Sequence, residues 1–82
     1  MKEFMIRKRE ARGVSVRWMA KRIGISYKLL IALEENYREI TSPRIALRIS
    51  SEYGLNYEET SKLVHEDRHE KLKELWEESQ SE

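Results

Sequence analysis

His65-Glu66-Asp67-Arg68-His69 is the stretch whose residue types could most directly do chemistry. On a helix, two imidazoles four residues apart share a face and can fill two positions of a tetrahedral zinc, with the intervening Glu as general base. The rest of the chain does not supply what that chemistry needs. These are the two histidines of a sequence without cysteine, so a third ligand would have to come from one of many glutamates. At 82 residues, too little chain remains to wall a substrate cleft. The stretch is expected to be a solvated charged segment, able at most to pick up zinc or nickel adventitiously. No Ser-His-Asp or Cys-His set occurs, and no Gly-rich phosphate loop. The expectation is no catalytic residue, no metal, no cofactor and no enzyme.

Recognition chemistry is better represented. Residues 26–36 read SYKLLIALEEN. On a helical wheel with Leu30 at the centre of the buried face, Leu33 and Tyr37 fall beside it and Leu29 at its flank. The opposite arc carries Lys28, Ile31, Ala32 and Glu35, with Tyr27 at the N-terminal shoulder. Ile31 and Ala32 therefore lack a core explanation. Small aliphatic side chains can pack on thymine methyl groups, Lys28 can donate to guanine O6 or N7, and Glu35 can accept from cytosine N4. Tyr27 can hydrogen-bond a phosphate or a base edge. The same two apolar residues would also suit a protein–protein face.

Charge favours the first of these. The formal net charge is +1, but residues 1–50 hold 12 Lys/Arg against five Glu, and residues 51–82 hold four against ten Asp/Glu. A single-sign block in one half of the chain points to a polyanionic partner. Arg7, Lys8, Arg12, Arg17, Lys21, Arg22 and Arg38 surround the stretch. Arg17 follows Ser15, so its side chain and the free amides of a helix N-terminus can hold one phosphate. Lys21 and Arg38 are placed for further backbone contacts.

The elements that must position these groups are legible from their ends. Helix formers dominate and no segment alternates with period two, so the chain reads as all-α. Helix 1 is predicted from about Glu3 to Arg12, stopping at Gly13. Ser15 caps helix 2, Val16 to Ile23, which ends at Gly24, and Ser26 caps helix 3, Tyr27 to about Glu35, with Asn36 as its terminator. Ser42 and Pro43 open helix 4, which runs to Gly54. Asn56-Tyr57-Glu58-Glu59 is a capping box that starts helix 5, with Leu63 and Val64 on its core face. Beyond Val64 the pattern permits either a continuous helix or a break and a sixth one.

Two short helices around a Gly-containing turn make a helix-turn-helix. Ala20, Gly24, Leu30 and Leu33 stand at offsets 0, +4, +10 and +13, small where the helices cross and apolar where they lock. With RGVSVRWMAKRIGIS, the LEEN ending of helix 3, the Pro-initiated helix 4 and EYGLNYEE, the chain from about Met5 to Tyr57 resembles the lambda-repressor-like (xenobiotic-response-element-type) helix-turn-helix family, which includes phage Cro and repressor domains. It departs from that family at Val16, where Gln is frequent, and at Glu35-Asn36, where Gly usually follows the helix-3 Glu. The resemblance implies a compact five-helix bundle that binds operator DNA as a dimer, with helix 3 in the major groove. It also implies an ion pair between Arg9 and Glu34 that braces helix 1 against helix 3.

The division expected is residues 1–64 as the DNA-binding domain and 65–82 as an acidic C-terminal helical extension. In that extension Leu72, Leu75 and Trp76 form a narrow apolar stripe. It either folds back onto the bundle or serves as a dimer contact. No apolar run approaches the roughly 18 residues of a membrane span and the N-terminus has no apolar signal core, so a cytoplasmic protein is expected. The function expected is a transcriptional regulator, a repressor of bacterial or phage type, that binds double-stranded DNA as a homodimer. Tyr27, Lys28, Ile31 and Ala32 would meet bases, and Ser15, Arg17, Lys21 and Arg38 would meet phosphates. The alternative is a protein-interaction module docking a partner protein on the apolar helix-3 face.

Overall fold

The computed structural model describes residues 2–80, and among these the chain forms six α-helices. They are α1 (Glu3–Arg12), α2 (Val16–Ile23), α3 (Tyr27–Glu34), α4 (Pro43–Tyr53), α5 (Tyr57–Ser61) and α6 (His69–Gln80), with a 3-10 turn at Glu66–Arg68 before α6. The fold is all-α, and the sixth helix is real.

Local capping chemistry sets the helix starts. Ser15 Oγ accepts the Trp18 N–H at 3.1 Å, Ser26 Oγ that of Leu29 at 3.1 Å, and Ser42 Oγ that of Ile45 at 3.3 Å, each satisfying an otherwise orphaned amide. Asn56 and Glu59 exchange side-chain and backbone bonds at 2.8 and 3.0 Å, the reciprocal capping box. Gly24 ends α2 with φ +89°, a left-handed conformation that strains any L side chain. A Cβ there would also lie 2.6 Å from Arg48 Nη2, because α4 lays the Arg48 guanidinium over the α2–α3 turn.

Two expectations about α3 and α5 are corrected. Helix α3 stops at Glu34, and Asn36 adopts φ +67°, which swings Tyr37 off the wheel. Tyr37 is therefore 80% exposed instead of lying beside Leu30. Helix α5 stops at Ser61, so Leu63 and Val64 are buried from a turn and not from a helix face. The His69 imidazole Nε2 lies 2.8 Å from the Ser61 carbonyl and 3.2 Å from that of Val64, where its N–H stands in for the missing helical donors. The Ile40 N–H donates to the Leu63 carbonyl at 2.7 Å, tying the loop after α3 to the same turn.

One core joins all of this. Met5, Met19, Ile23, Leu30, Leu33, Ile49 and Leu63 are essentially inaccessible. Helix α2 packs on α3 and α4, and α6 lies along α4. Leu72 is 0% and Leu75 5% exposed, both facing the bundle. The dimer-contact reading of the tail is thereby corrected for its two leucines, which their own chain consumes. Trp76, half-buried, meets the Tyr57 ring edge-on at 5.6 Å and 67°. The tail folds back.

Candidate nucleic-acid interface

The α2–α3 pair is held from behind by a buried polar network. Arg9 Nε and Nη2 donate to the two oxygens of Glu34 at 2.8 and 3.0 Å, and the Tyr53 hydroxyl donates to Glu34 Oε2 at 2.6 Å. Arg9 Nη1 also donates to the Val14 carbonyl at 3.1 Å. The ion pair implied by the family resemblance is present, and α4 adds Tyr53 to it. A planar guanidinium and a carboxylate fit each other through two parallel bonds, so the pair fixes orientation as well as distance. Among the described residues no buried side-chain polar atom is left without a partner.

Burial and the neighbouring Glu34 carboxylate disfavour the Tyr53 phenolate, so its pKa rises above the ordinary 10.0. A raised folded-state pKa means that the unfolded chain ionises first, and folding stability falls as pH climbs past about 10. The urea midpoint of the wild type should fall more steeply above that pH than that of Tyr53→Phe. Parallel curves for the two proteins would show that the phenol is not titrated by folding.

The C-terminal end of α3 is secured by a residue with no signal in the sequence pattern. Asn36 and Tyr37 amides donate to the Leu33 and Ala32 carbonyls at 3.1 and 2.8 Å, a Schellman closure. Lys2 completes it. Its backbone N–H donates to the Glu34 carbonyl at 2.7 Å, and its buried Nζ to the Leu33 carbonyl at 3.3 Å and to Asn36 Oδ1 at 2.6 Å. Burial lowers the pKa of this ammonium.

In front of that scaffold the exposed arc of α3 carries Lys28 and Ile31, the latter 39% exposed, with Ala32 half-buried beside them. Leu29 is partly buried against the core and Leu30 and Leu33 are inside it, as the wheel requires. Tyr27 is half-buried at the N-terminal shoulder, packed on the core, and the Arg17 guanidinium carbon lies 3.9 Å from the centre of its ring. Arg17, Lys21, Lys28 and Arg38 are all exposed. Ser15, also exposed, accepts the capping bond at its oxygen, and its hydroxyl proton remains free for a phosphate.

Several basic residues near the pair are neutralised. Arg7 pairs with Glu3, Arg9 with Glu34, and Arg12 and Arg22 share Glu52 at 3.6 and 3.4 Å. Arg12 and Arg22 also lie 5.1 and 5.4 Å from the ring centre of Trp18, which is 41% exposed. Among the described residues, Arg17, Lys21, Lys28 and Arg38 have no carboxylate within ion-pair distance. The cations left unneutralised include every one expected to meet DNA. Arg48 joins them over the α2–α3 turn, and neither its position nor the Trp18 cluster was foreseeable from local pattern. Both depend on how α4 crosses α2.

The chain matches no family model, no curated protein and no solved structure. Its functional reading rests on geometry.

The H-E-x-x-H stretch does not form the helical face that its spacing suggests. His65 precedes the 3-10 turn and His69 begins α6, so the two rings belong to different elements. His65 Nδ1 faces Asp67 Oδ1 at 2.9 Å, and that hydrogen bond raises the imidazole pKa. Among the described residues no three His, Cys, Asp or Glu side chains converge on a metal position. None of the described helices is long and apolar enough to cross a membrane.

Proposed function

We propose that this protein binds double-stranded DNA through the α2–α3 pair, with α3 in the major groove, and acts as a transcriptional regulator of the repressor type. The observation that carries the reading is a cluster: Arg17, Lys21, Lys28 and Arg38 lie exposed on and beside the α2–α3 pair, and no carboxylate among the described residues neutralises them. Unpaired cations around an exposed helix face are what a phosphate backbone attracts, with release of condensed counterions. Tyr27, Lys28, Ile31 and Ala32 would face base edges. Lys21, Arg38 and the Ser15-capped start of α2 would hold phosphates, which set register without reading sequence.

Two copies on paired half-sites would complete an operator. Leu72 and Leu75 are buried within their own chain, so a homodimer contact in the tail would rest on the half-buried Trp76 and the residues around it.

The test is a salt titration of binding to duplex DNA, with the mass of the protein in solution measured alongside. Affinity should fall linearly on a log–log plot, by about 0.9 in slope for each phosphate neutralised. Lys21→Ala or Arg38→Ala should each reduce that slope by about 1, and Arg17→Glu with Lys28→Glu should abolish binding. A protein that binds no duplex even at low ionic strength would sink the proposal. The exposed Ile31 would then favour the second reading, a partner protein docked on α3.

A further inference from the structure

We infer that Arg17 reads a guanine in the major groove instead of holding a phosphate, and that the α3 face selects a guanine within a few base pairs of thymine. This rests on the DNA-binding reading above. Arg17 differs from its unpaired neighbours in being held. Its guanidinium carbon lies 3.9 Å from the centre of the Tyr27 ring, and Tyr27 is itself packed against the core. Stacking on an aromatic face occupies the flat side of the guanidinium and leaves its in-plane N–H groups open. Those donors form a rigid fork that matches guanine N7 and O6, the commonest specific contact in the major groove.

Position agrees with this. Tyr27 is the first residue of α3, and the N-terminal residues of a groove-docked helix meet base edges. The contact with the Tyr27 ring places the guanidinium at that end of the helix. No carboxylate among the described residues competes for it.

Ile31 lies one turn beyond Tyr27, about 6 Å along the axis, and Ala32 is beside it. Neither side chain can hydrogen-bond, and the apolar group that base pairs offer in this groove is the thymine C5-methyl. A fork at one end of the exposed α3 face and methyl groups one turn further along it would meet bases close to each other in the same groove. Lys28, exposed between them, supplies a less directional donor.

The experiment enriches bound duplexes from a randomised library and resynthesises the winning sequence with single-atom changes. Replacing the guanine by 7-deazaguanine removes N7; replacing thymine by uracil removes the methyl group. Wild type should lose roughly tenfold or more in affinity from the first change, while Arg17→Ala, already lacking the fork, should respond little. Uracil should weaken wild type more than Ile31→Ser. If Arg17→Ala weakens every duplex by the same factor and the enriched sequence is unchanged, Arg17 is a phosphate contact and the inference falls alone. If wild type binds and 7-deazaguanine has no effect, it also falls. Failure to bind or enrich any duplex at low salt overturns the DNA reading and this inference with it.

Discussion

Replacing Arg9 by methionine should lower the stability of this protein by about 3 kcal/mol or more, because it strands the Glu34 carboxylate inside the bundle. Glu34 is 3% exposed and accepts three hydrogen bonds, two from Arg9 and one from Tyr53. Removing the cation of a buried ion pair leaves a charge that water does not reach and that the Tyr53 hydroxyl alone compensates only in part. Against the roughly 5–15 kcal/mol that holds a domain together, this is a large share, and the melting temperature should drop on the order of 15 °C. The triple variant Arg9→Met, Glu34→Leu, Tyr53→Phe removes the charges and the phenol together and should recover most of the loss, since apolar replacements of buried pairs are often neutral. Thermal unfolding followed by circular dichroism decides it. An Arg9→Met protein melting within a few degrees of wild type would mean that the network braces nothing.

Ending the chain after Arg68 should prevent folding, not merely change association. The cut removes Leu72 and Leu75, both buried, and uncovers the side of α4 on which α6 lies. Fully burying a leucine is worth about 1.5–3 kcal/mol, so the two together approach the lower range of total stability for a domain. His69 goes as well, and with it the imidazole at the Ser61 and Val64 carbonyls. The truncated chain should show little cooperative unfolding and rapid amide exchange throughout α4. A shortened protein that melts cooperatively near the wild-type temperature would return α6 to the role of an appendage.

Both predictions turn on residues whose partners are far away in the chain, and the candidate site divides in the same way. The outward positions of Lys28 and Ile31 were legible, because a wheel of residues 26–34 needs only the helical repeat and the buried positions of Leu30 and Leu33. The contact of Arg17 with Tyr27 was not. Ten positions separate them, and their meeting depends on the crossing of α2 and α3. Tyr37 was misplaced because a wheel extended past Glu34 assumes helix where Asn36 turns left-handed. The H-E-x-x-H spacing misled for the same reason, since spacing has facial meaning only inside a continuous helix.

The sequence by itself determined where α2 to α5 begin and where α1 to α4 end. Ser15, Ser26, Ser42 and Asn56 reach amides three residues onward, and Gly13, Gly24, Asn36 and Gly54 take the left-handed conformation that closes a helix. These are local events, complete within one turn. Only the tertiary structure decided which cations are free, that Lys2 caps the far end of α3, that Arg48 covers the Gly24 turn, and that the apolar stripe of α6 is spent on its own bundle. Each of those joins residues dozens of positions apart or on different helices. Such a contact forms only after hydrophobic burial has set how the helices cross, and no spacing along the chain encodes that angle.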